Sequence, residues 1–335
     1  MSSATDEGAD GYVSTGALPS PETVQALVRE AYERYRSDTA GEVSMVYPAL
    51  ARVPPDLFGV SVVGTSGAAY SVGDAETRFP IMSVAKPFVF ALVCEALGAE
   101  ETRRRIGVNA TGLPFNSLEA IDGSGDGRTN PMVNPGAIAT TSLVAGTTPQ
   151  ARWRRIVEGL SAFAGRELTL DDEVYESASE TNHRNREIAR LLERHGRIDG
   201  DALEALDLYT LQSSLGVCAH DLAVMGATLA DAGVNPLTGA RVVGEPTSRR
   251  TLAVMATAGL YETSGDWLYD VGLPGKSGIG GGIVTVSPGK GALGTFGPRL
   301  DGAGNSVRGQ LVARFLSRRL GLDLFTSAPE AGASA

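Results

Sequence analysis

The strongest β patterns of this chain lie near its two ends, so any sheet it forms must be assembled from both. Residues 57–63, the turn Gly64-Thr65-Ser66-Gly67 and residues 68–72 read as one β-hairpin. Residues 282–287, the turn Pro288-Gly289-Lys290-Gly291 and residues 292–296 read as a second. From about 97 to 258 the apolar residues recur at helical spacing instead, as in Trp153, Ile156, Val157, Leu160 and Phe163, in Ile188, Leu191 and Leu192, and in Leu222, Met225 and Leu229. A helix opens at Ser20-Pro21, with Val24, Leu27, Val28, Ala31, Tyr32 and Tyr35 on its stripe, and a last helix places Val307, Leu311, Phe315 and Leu320 together. The expected fold is of mixed α/β (α+β) class: an antiparallel sheet flanked by terminal helices, plus a mostly helical lobe. With 335 residues, 42% of them hydrophobic, the chain can bury a large core. One domain is expected over 20–325, with a sheet lobe from about 20–96 and 259–325 and a helical lobe from about 97–258. Residues 1–19 and 326–335 are small and polar and are expected to form a flexible extension and tail.

A net charge of −10 repels phosphate backbones and anionic headgroups, which argues against nucleic-acid and membrane partners and for a small-molecule one. No run of about eighteen apolar residues occurs, and the first residues, Met1-Ser2-Ser3-Ala4-Thr5-Asp6-Glu7, lack the basic and apolar regions of a secretory leader. A cytoplasmic location is therefore expected. Cys94 and Cys218 sit in apolar settings and read as buried thiols. His183, His195 and His220 have no paired spacing. Asp122-Gly123-Ser124-Gly125-Asp126-Gly127 opens like a calcium loop, but its twelfth position is Val133 rather than a bidentate carboxylate, so it reads as a turn. Neither a metal nor a cofactor is expected.

The chemistry concentrates in Pro80-Ile81-Met82-Ser83-Val84-Ala85-Lys86-Pro87-Phe88. A serine and a lysine three residues apart at a helix start share a face, so the amine of Lys86 can take the proton of the Ser83 hydroxyl. Ser83 is expected as the N-cap, with Pro87 in the first turn and free amides around an oxygen that must turn anionic. Ser/Lys pairs at this spacing are common, and an ordinary cap followed by a solvated lysine is the competing interpretation. A second stretch, Leu273-Pro274-Gly275-Lys276-Ser277-Gly278-Ile279-Gly280-Gly281-Gly282, leads a Lys-Ser-Gly into a glycine-rich strand. It precedes β-branched residues rather than a helix, which speaks against a nucleotide loop. The two stretches together resemble the serine β-lactamase and penicillin-binding fold, where such a strand lines the site beside Ser-x-x-Lys.

A closer resemblance runs through residues 25 to 320. Asn130-Pro131-Met132-Val133-Asn134-Pro135-Gly136, Thr181-Asn182-His183-Arg184-Asn185, Gly233-Val234-Asn235-Pro236-Leu237-Thr238-Gly239, Gly259-Leu260-Tyr261 and Gly304-Asn305-Ser306-Val307-Arg308-Gly309 occur in the order and near-constant spacing of the serine-dependent glutaminase family. The resemblance implies a β-lactamase-like fold that hydrolyses L-glutamine to L-glutamate and ammonia through an ester on Ser83, as a homodimer or homotetramer. It implies Lys86 as base, Tyr261 as proton donor to the departing ammonia and Tyr209 as a second tyrosine of the pocket. Asn134 and Asn185 match the substrate-holding amides, and the N–H groups of Ser83 and Ile279 match the oxyanion hole. Without the resemblance, Asn134 reads as a turn residue, Asn185 as a solvated helix position, and Tyr209 and Tyr261 as half-buried aromatics.

The chain departs from that family at four places in the pocket. The family's substrate-binding glutamate, which would pair with the α-ammonium, stands as Ala178; its Tyr-Ile-Pro stands as Val46-Tyr47-Pro48; the glutamine before the nucleophile is Met82; and the alanine after the first asparagine is Pro135. Removing a buried anion of this kind costs roughly 2–5 kcal/mol of binding. Glu176 and Glu180 flank Ala178, but two residues along a helix rotate a side chain by about 200°. Besides a glutaminase, the sequence therefore admits a serine amidase or esterase of the same fold with another small acyl substrate, and a non-catalytic ligand-binding member.

Overall fold

The structure, a computed structural model, describes residues 17–326; residues 1–16 of the expected extension and 327–335 of the expected tail lie outside the described residues. Five strands form the main sheet: β1 (Gly59–Gly64), β2 (Ala69–Gly73), β3 (Gly275–Ser277), β4 (Gly282–Ser287) and β5 (Gly291–Phe296). Their order is β2-β1-β5-β4-β3, with every neighbouring pair antiparallel. The hairpins from the two ends of the sequence meet at β1 and β5, whose register runs from Gly59 opposite Phe296 to Gly64 opposite Gly291.

β1, β4 and β5 are buried along their whole length because helices cover both faces of the sheet. Side chains alternate accordingly. Val60, Val62, Ile283 and Leu293 enter one apolar layer with Val24, Leu27, Val312 and Leu316 of the terminal helices Pro21–Tyr35 and Val307–Arg319. Val284, Val286 and Ala292 enter the other, against the helix Ala219–Ala230. That helix lies close to the sheet because a Cβ at Gly294 would sit 2.0 Å from the Ala219 carbonyl oxygen, and one at Gly226 2.6 Å from the Ala292 methyl.

The first terminal helix starts as its sequence suggests, with the Ser20 hydroxyl accepting the Thr23 N–H at 3.4 Å. The last one is rotated from expectation. Its buried face carries Arg308, Val312, Ala313, Phe315 and Leu316, while Val307 and Leu311 are half-buried. The Arg308 guanidinium turns inward, donates to the carbonyls of Arg36, Pro55, Asp56 and Leu57, and lies 4.9 Å over the Phe58 ring. Counting apolar residues alone misplaces a face anchored by a buried cation.

Three short strands that the sequence did not announce, Phe79–Pro80, Thr169–Leu170 and Leu215–Val217, pair with the last of them in the middle. The Ile81 N–H extends this pairing to the Leu215 carbonyl at 2.8 Å. The segment that enters Ser83 is thereby tied to the end of the helix Ala202–Ser213. The helix that follows, Ala85–Leu97, is buried at every residue from Ala85 to Ala91, with Phe88 against Phe163 at 5.0 Å. Cys94 and Cys218 are buried and unpaired. His195 meets Asp122 at 3.1 Å, and Asp126 turns to Arg128 at 2.6 Å, so the 122–127 segment spends its carboxylates on neighbours. Among the described residues, no helix is long and apolar enough to cross a membrane.

Candidate active site

Ser83 is not the N-cap that its place ahead of an apolar helix suggests. It lies inside a 3₁₀ turn, Met82–Val84, and the helix behind it has Val84 as N-cap, with no side-chain bond. The cause is Met82, whose φ of +48° swings the chain out of the short strand and into the turn. A non-glycine residue in this region is strained by roughly 1–2 kcal/mol and persists only where its surroundings hold it. The Ile81 bond to Leu215 and the packing of Met82 with Leu50 and Val174 supply that hold. The Lys86 amine donates to Asn134 Oδ1 at 2.7 Å and to the Met132 carbonyl at 3.3 Å, and lies 5.9 Å from the centre of the Tyr209 ring. Lys86 is 2% exposed. Burial pulls its pKa from 10.5 to about 7.

From Lys86 a directed line of hydrogen bonds runs along the cavity wall. Asn134 Nδ2 donates to Asn185 Oδ1 at 2.9 Å, Asn185 Nδ2 to Asn182 Oδ1 at 2.6 Å, Asn182 Nδ2 to Thr210 Oγ1 at 3.1 Å, and Thr210 to the Leu206 carbonyl at 2.9 Å. Tyr209 adds a second donor to Asn134 Oδ1 at 3.1 Å. The fold builds this line locally. Asn134 opens the helix Asn134–Ser142, whose start sits so close to the 130 loop that a Cβ at Gly136 would lie 2.0 Å from the Asn130 carbonyl. Asn182 stands at the junction of the helices Asp172–Thr181 and His183–Arg194, on the same face as Asn185.

The opposite wall comes from the sheet. Tyr261, with φ of +59°, donates its hydroxyl to the Ser277 carbonyl at 3.2 Å. The Lys276 amine donates to the same carbonyl at 2.7 Å, sits 4.1 Å from the centre of the Tyr261 ring, and is fully buried. Phe115 packs against Tyr261 with the ring centres 4.8 Å apart. Burial, and then the nearby Lys86, hold the Lys276 amine well below its usual range. Burial pushes the Tyr261 phenol up to about 12 and Tyr209 well above its usual range, and contact with the Ser83 hydroxyl offsets part of the rise in each. Both phenols thus lie near Ser83. A Cβ at Gly278 would lie 3.2 Å from the Ser83 nitrogen and 3.1 Å from the Ile81 carbonyl oxygen, so the glycine lets the end of β3 pack tightly over the nucleophile candidate. Among the described residues, the N–H groups of Ser83 and Ile279 have no hydrogen-bond acceptor.

These residues enclose a cavity of about 110 Å³ that opens to solvent. The structure brings Ser83, Asn134, Asn185, Tyr209 and Ile279 to its lining, with Lys86 and Tyr261 directly behind. Asn134, Asn185, Tyr209 and Tyr261 are all buried, which removes the alternative of solvated or half-buried positions. Ala178 lies on the lining, 2% exposed, while Glu176 and Glu180 point to solvent, so neither replaces the missing carboxylate. The one-residue shift in Val46-Tyr47-Pro48 leaves Tyr47 packed with Met82 and Ile279 at the cavity, and Val46 largely exposed beside it. Sequence reasoning missed Asn182, Phe115 and the contact of Lys276 with Tyr261. The spacing Asn182-x-x-Asn185 was the available signal for the first; the others depend on long-range packing.

An antiparallel sheet covered by helices, with Ser-x-x-Lys at its edge and Lys-Ser-Gly on the adjoining strand, defines the serine β-lactamase-like class of folds. Within that class the model of the family described as Glutaminase matches residues 41–325. A relative named Glutaminase 2 from Yersinia pestis is 65% identical over 328 residues, covering 97% of this chain and 96% of its own. A solved structure titled probable glutaminase ybaS has a TM-score of 0.91 at 43% identity, covering 92% of this chain and 100% of that one. Mglu in its glutamate form has a TM-score of 0.85 at 36% identity, over 92% of this chain and 70% of that one. The chain belongs to the glutaminase family.

Proposed function

We propose that this chain is a single catalytic domain over 20–325 that hydrolyses the side-chain amide of L-glutamine through an acyl ester on Ser83. The observation that carries the proposal is the cavity itself: Ser83 lies on its lining with Tyr209, Asn134 and Asn185, its N–H and that of Ile279 have no acceptor among the described residues, Tyr261 stands directly behind, and the buried amine of Lys86 follows one helical turn along. Neutral Lys86 takes the Ser83 proton while Oγ bonds to the amide carbon. The oxyanion meets the N–H groups of Ser83 and Ile279, which need no reorganisation to receive it. Tyr261 gives its proton to the leaving nitrogen, the C–N bond breaks, and ammonia departs. Water then attacks the ester; its proton restores the Tyr261 phenol, and Lys86 returns its proton to Ser83 Oγ. Asn134 and Asn185 hold the substrate by the N–H groups that their mutual bonds leave over.

The test is ammonia release from L-glutamine by the wild type, Ser83→Ala and Lys86→Ala. Turnover in the wild type and its loss in both folded variants is the expected result. A Ser83→Ala protein that keeps most of its activity would overturn the assignment of the nucleophile. The same reading takes the protein to be a cytoplasmic homodimer or homotetramer; two buried, unpaired thiols support a reducing compartment, and the assembly follows from the family resemblance.

A further inference from the structure

The cavity is rich in hydrogen-bond donors and holds no anion for a positive charge. Among the described residues that line it there is no Asp or Glu; Arg184 stands on the lining with its guanidinium paired to Glu187, and the amines of Lys86 and Lys276 lie behind it as further N–H donors. The side-chain carbonyls of Asn134, Asn185 and Asn182 each already accept a hydrogen bond, Asn134 Oδ1 two of them, in a line that starts from an amine. Each amide keeps an N–H to present, and Asn134 has nothing else left, both acceptor sites of its Oδ1 being filled. The wall at Ala178 is a buried methyl, and the two glutamates beside it face solvent.

A free amino acid brings a carboxylate and an ammonium into this space. The carboxylate finds donors; the ammonium loses its water and meets no anion. We propose that the preferred substrates of this site are five-carbon ω-amides that carry a carboxylate and no positive charge at the α position, such as glutaramate, its α-keto form or an N-acylated glutamine, with L-glutamine turned over less efficiently. Glutaramate then yields glutarate and ammonia by the same two steps, the C–N bond exchanged for the Ser83 ester and the ester for water. This rests on the Ser83 acyl-ester mechanism and narrows its substrate.

The experiment compares kcat/KM for glutaramate, N-acetyl-L-glutamine and L-glutamine at pH 7.5 in the wild type and in Ala178→Glu. An uncompensated ammonium of ~2 kcal/mol corresponds to about thirtyfold, so glutaramate is expected to exceed L-glutamine by at least that factor in the wild type. A carboxylate at 178 is expected to reverse the order. As a check that needs no variant, glutarate is expected to inhibit the wild type more strongly than L-glutamate. Preference of the wild type for L-glutamine, tighter inhibition by L-glutamate, or an unchanged order in a folded Ala178→Glu would each overturn the proposal while leaving the glutaminase mechanism in place. A folded wild type that cleaves none of the amides would overturn both.

Discussion

Lys86→Met removes a buried amine while nearly keeping its volume, and the structure says what that does to stability as well as to catalysis. Burial lowers the Lys86 pKa from 10.5 to about 7. At ~1.4 kcal/mol per pKa unit, the folded state carries a penalty of roughly 4–5 kcal/mol below pH 7. Between about 7 and 10.5 the unfolded chain binds the lysine proton that the folded chain has released, so wild-type stability rises with pH across this window. The methionine variant lacks the penalty but also lacks the bonds to Asn134 Oδ1 and the Met132 carbonyl, a loss of about 1–2 kcal/mol since Tyr209 still donates to Asn134. The expected balance is a variant more stable by ~2–3 kcal/mol at pH 7, visible as several degrees in Tm, with the advantage gone near pH 10. Its ammonia release is expected to fall by a factor of about 10²–10⁴. Thermal unfolding of both proteins at pH 7 and 10, with turnover at pH 7.5, measures all of this. A variant less stable at pH 7, or a stability difference that ignores pH, would refute the electrostatic argument, and retained activity would remove Lys86 as base.

Other outcomes follow from the same geometry. The kcat/KM of the wild type should rise with pH up to about 7, where Lys86 becomes neutral, and stay level well into the alkaline range because the Tyr261 phenol is held up to about 12; a profile flat from pH 5.5 to 8 would contradict this. Tyr261→Phe should lower kcat by about 10²-fold with little change in Tm, since the hydroxyl spends only one bond on the Ser277 carbonyl. Arg308→Leu strands four backbone carbonyls and should cost roughly 3 kcal/mol or more in a denaturant titration, while the folded fraction keeps its turnover number.

The architecture was readable where local pattern and burial agree. The two hairpins alternate and carry turn chemistry at their tips, and the terminal helix from Pro21 has its cap and stripe in sequence. Where a polar group determines the packing, the pattern misleads: Arg308 rotates the last helix, and the strained Met82 makes Ser83 part of a turn rather than a cap. Strands of two or three residues such as Phe79–Pro80 exist only because a partner from far along the chain is present. The site divides in the same way. Ser83 and Lys86 lie close in sequence, so they could be read directly as candidates, and the family resemblance supplied Asn134, Asn185, Tyr209, Tyr261 and Ile279. The direction of the Lys86 to Thr210 line, and with it the donor character of the cavity, depends on side chains from four helices and had no signature in the chain.

An acyl ester on Ser83 would be seen by mass spectrometry of enzyme quenched in acid during turnover. The peptide bearing Ser83 is expected to gain the mass of the substrate's acyl group, to lose it on further incubation in water, and never to show it in Ser83→Ala. An acyl group on another residue, or an initial burst of ammonia ahead of the acid product with no adduct on Ser83, would contradict it.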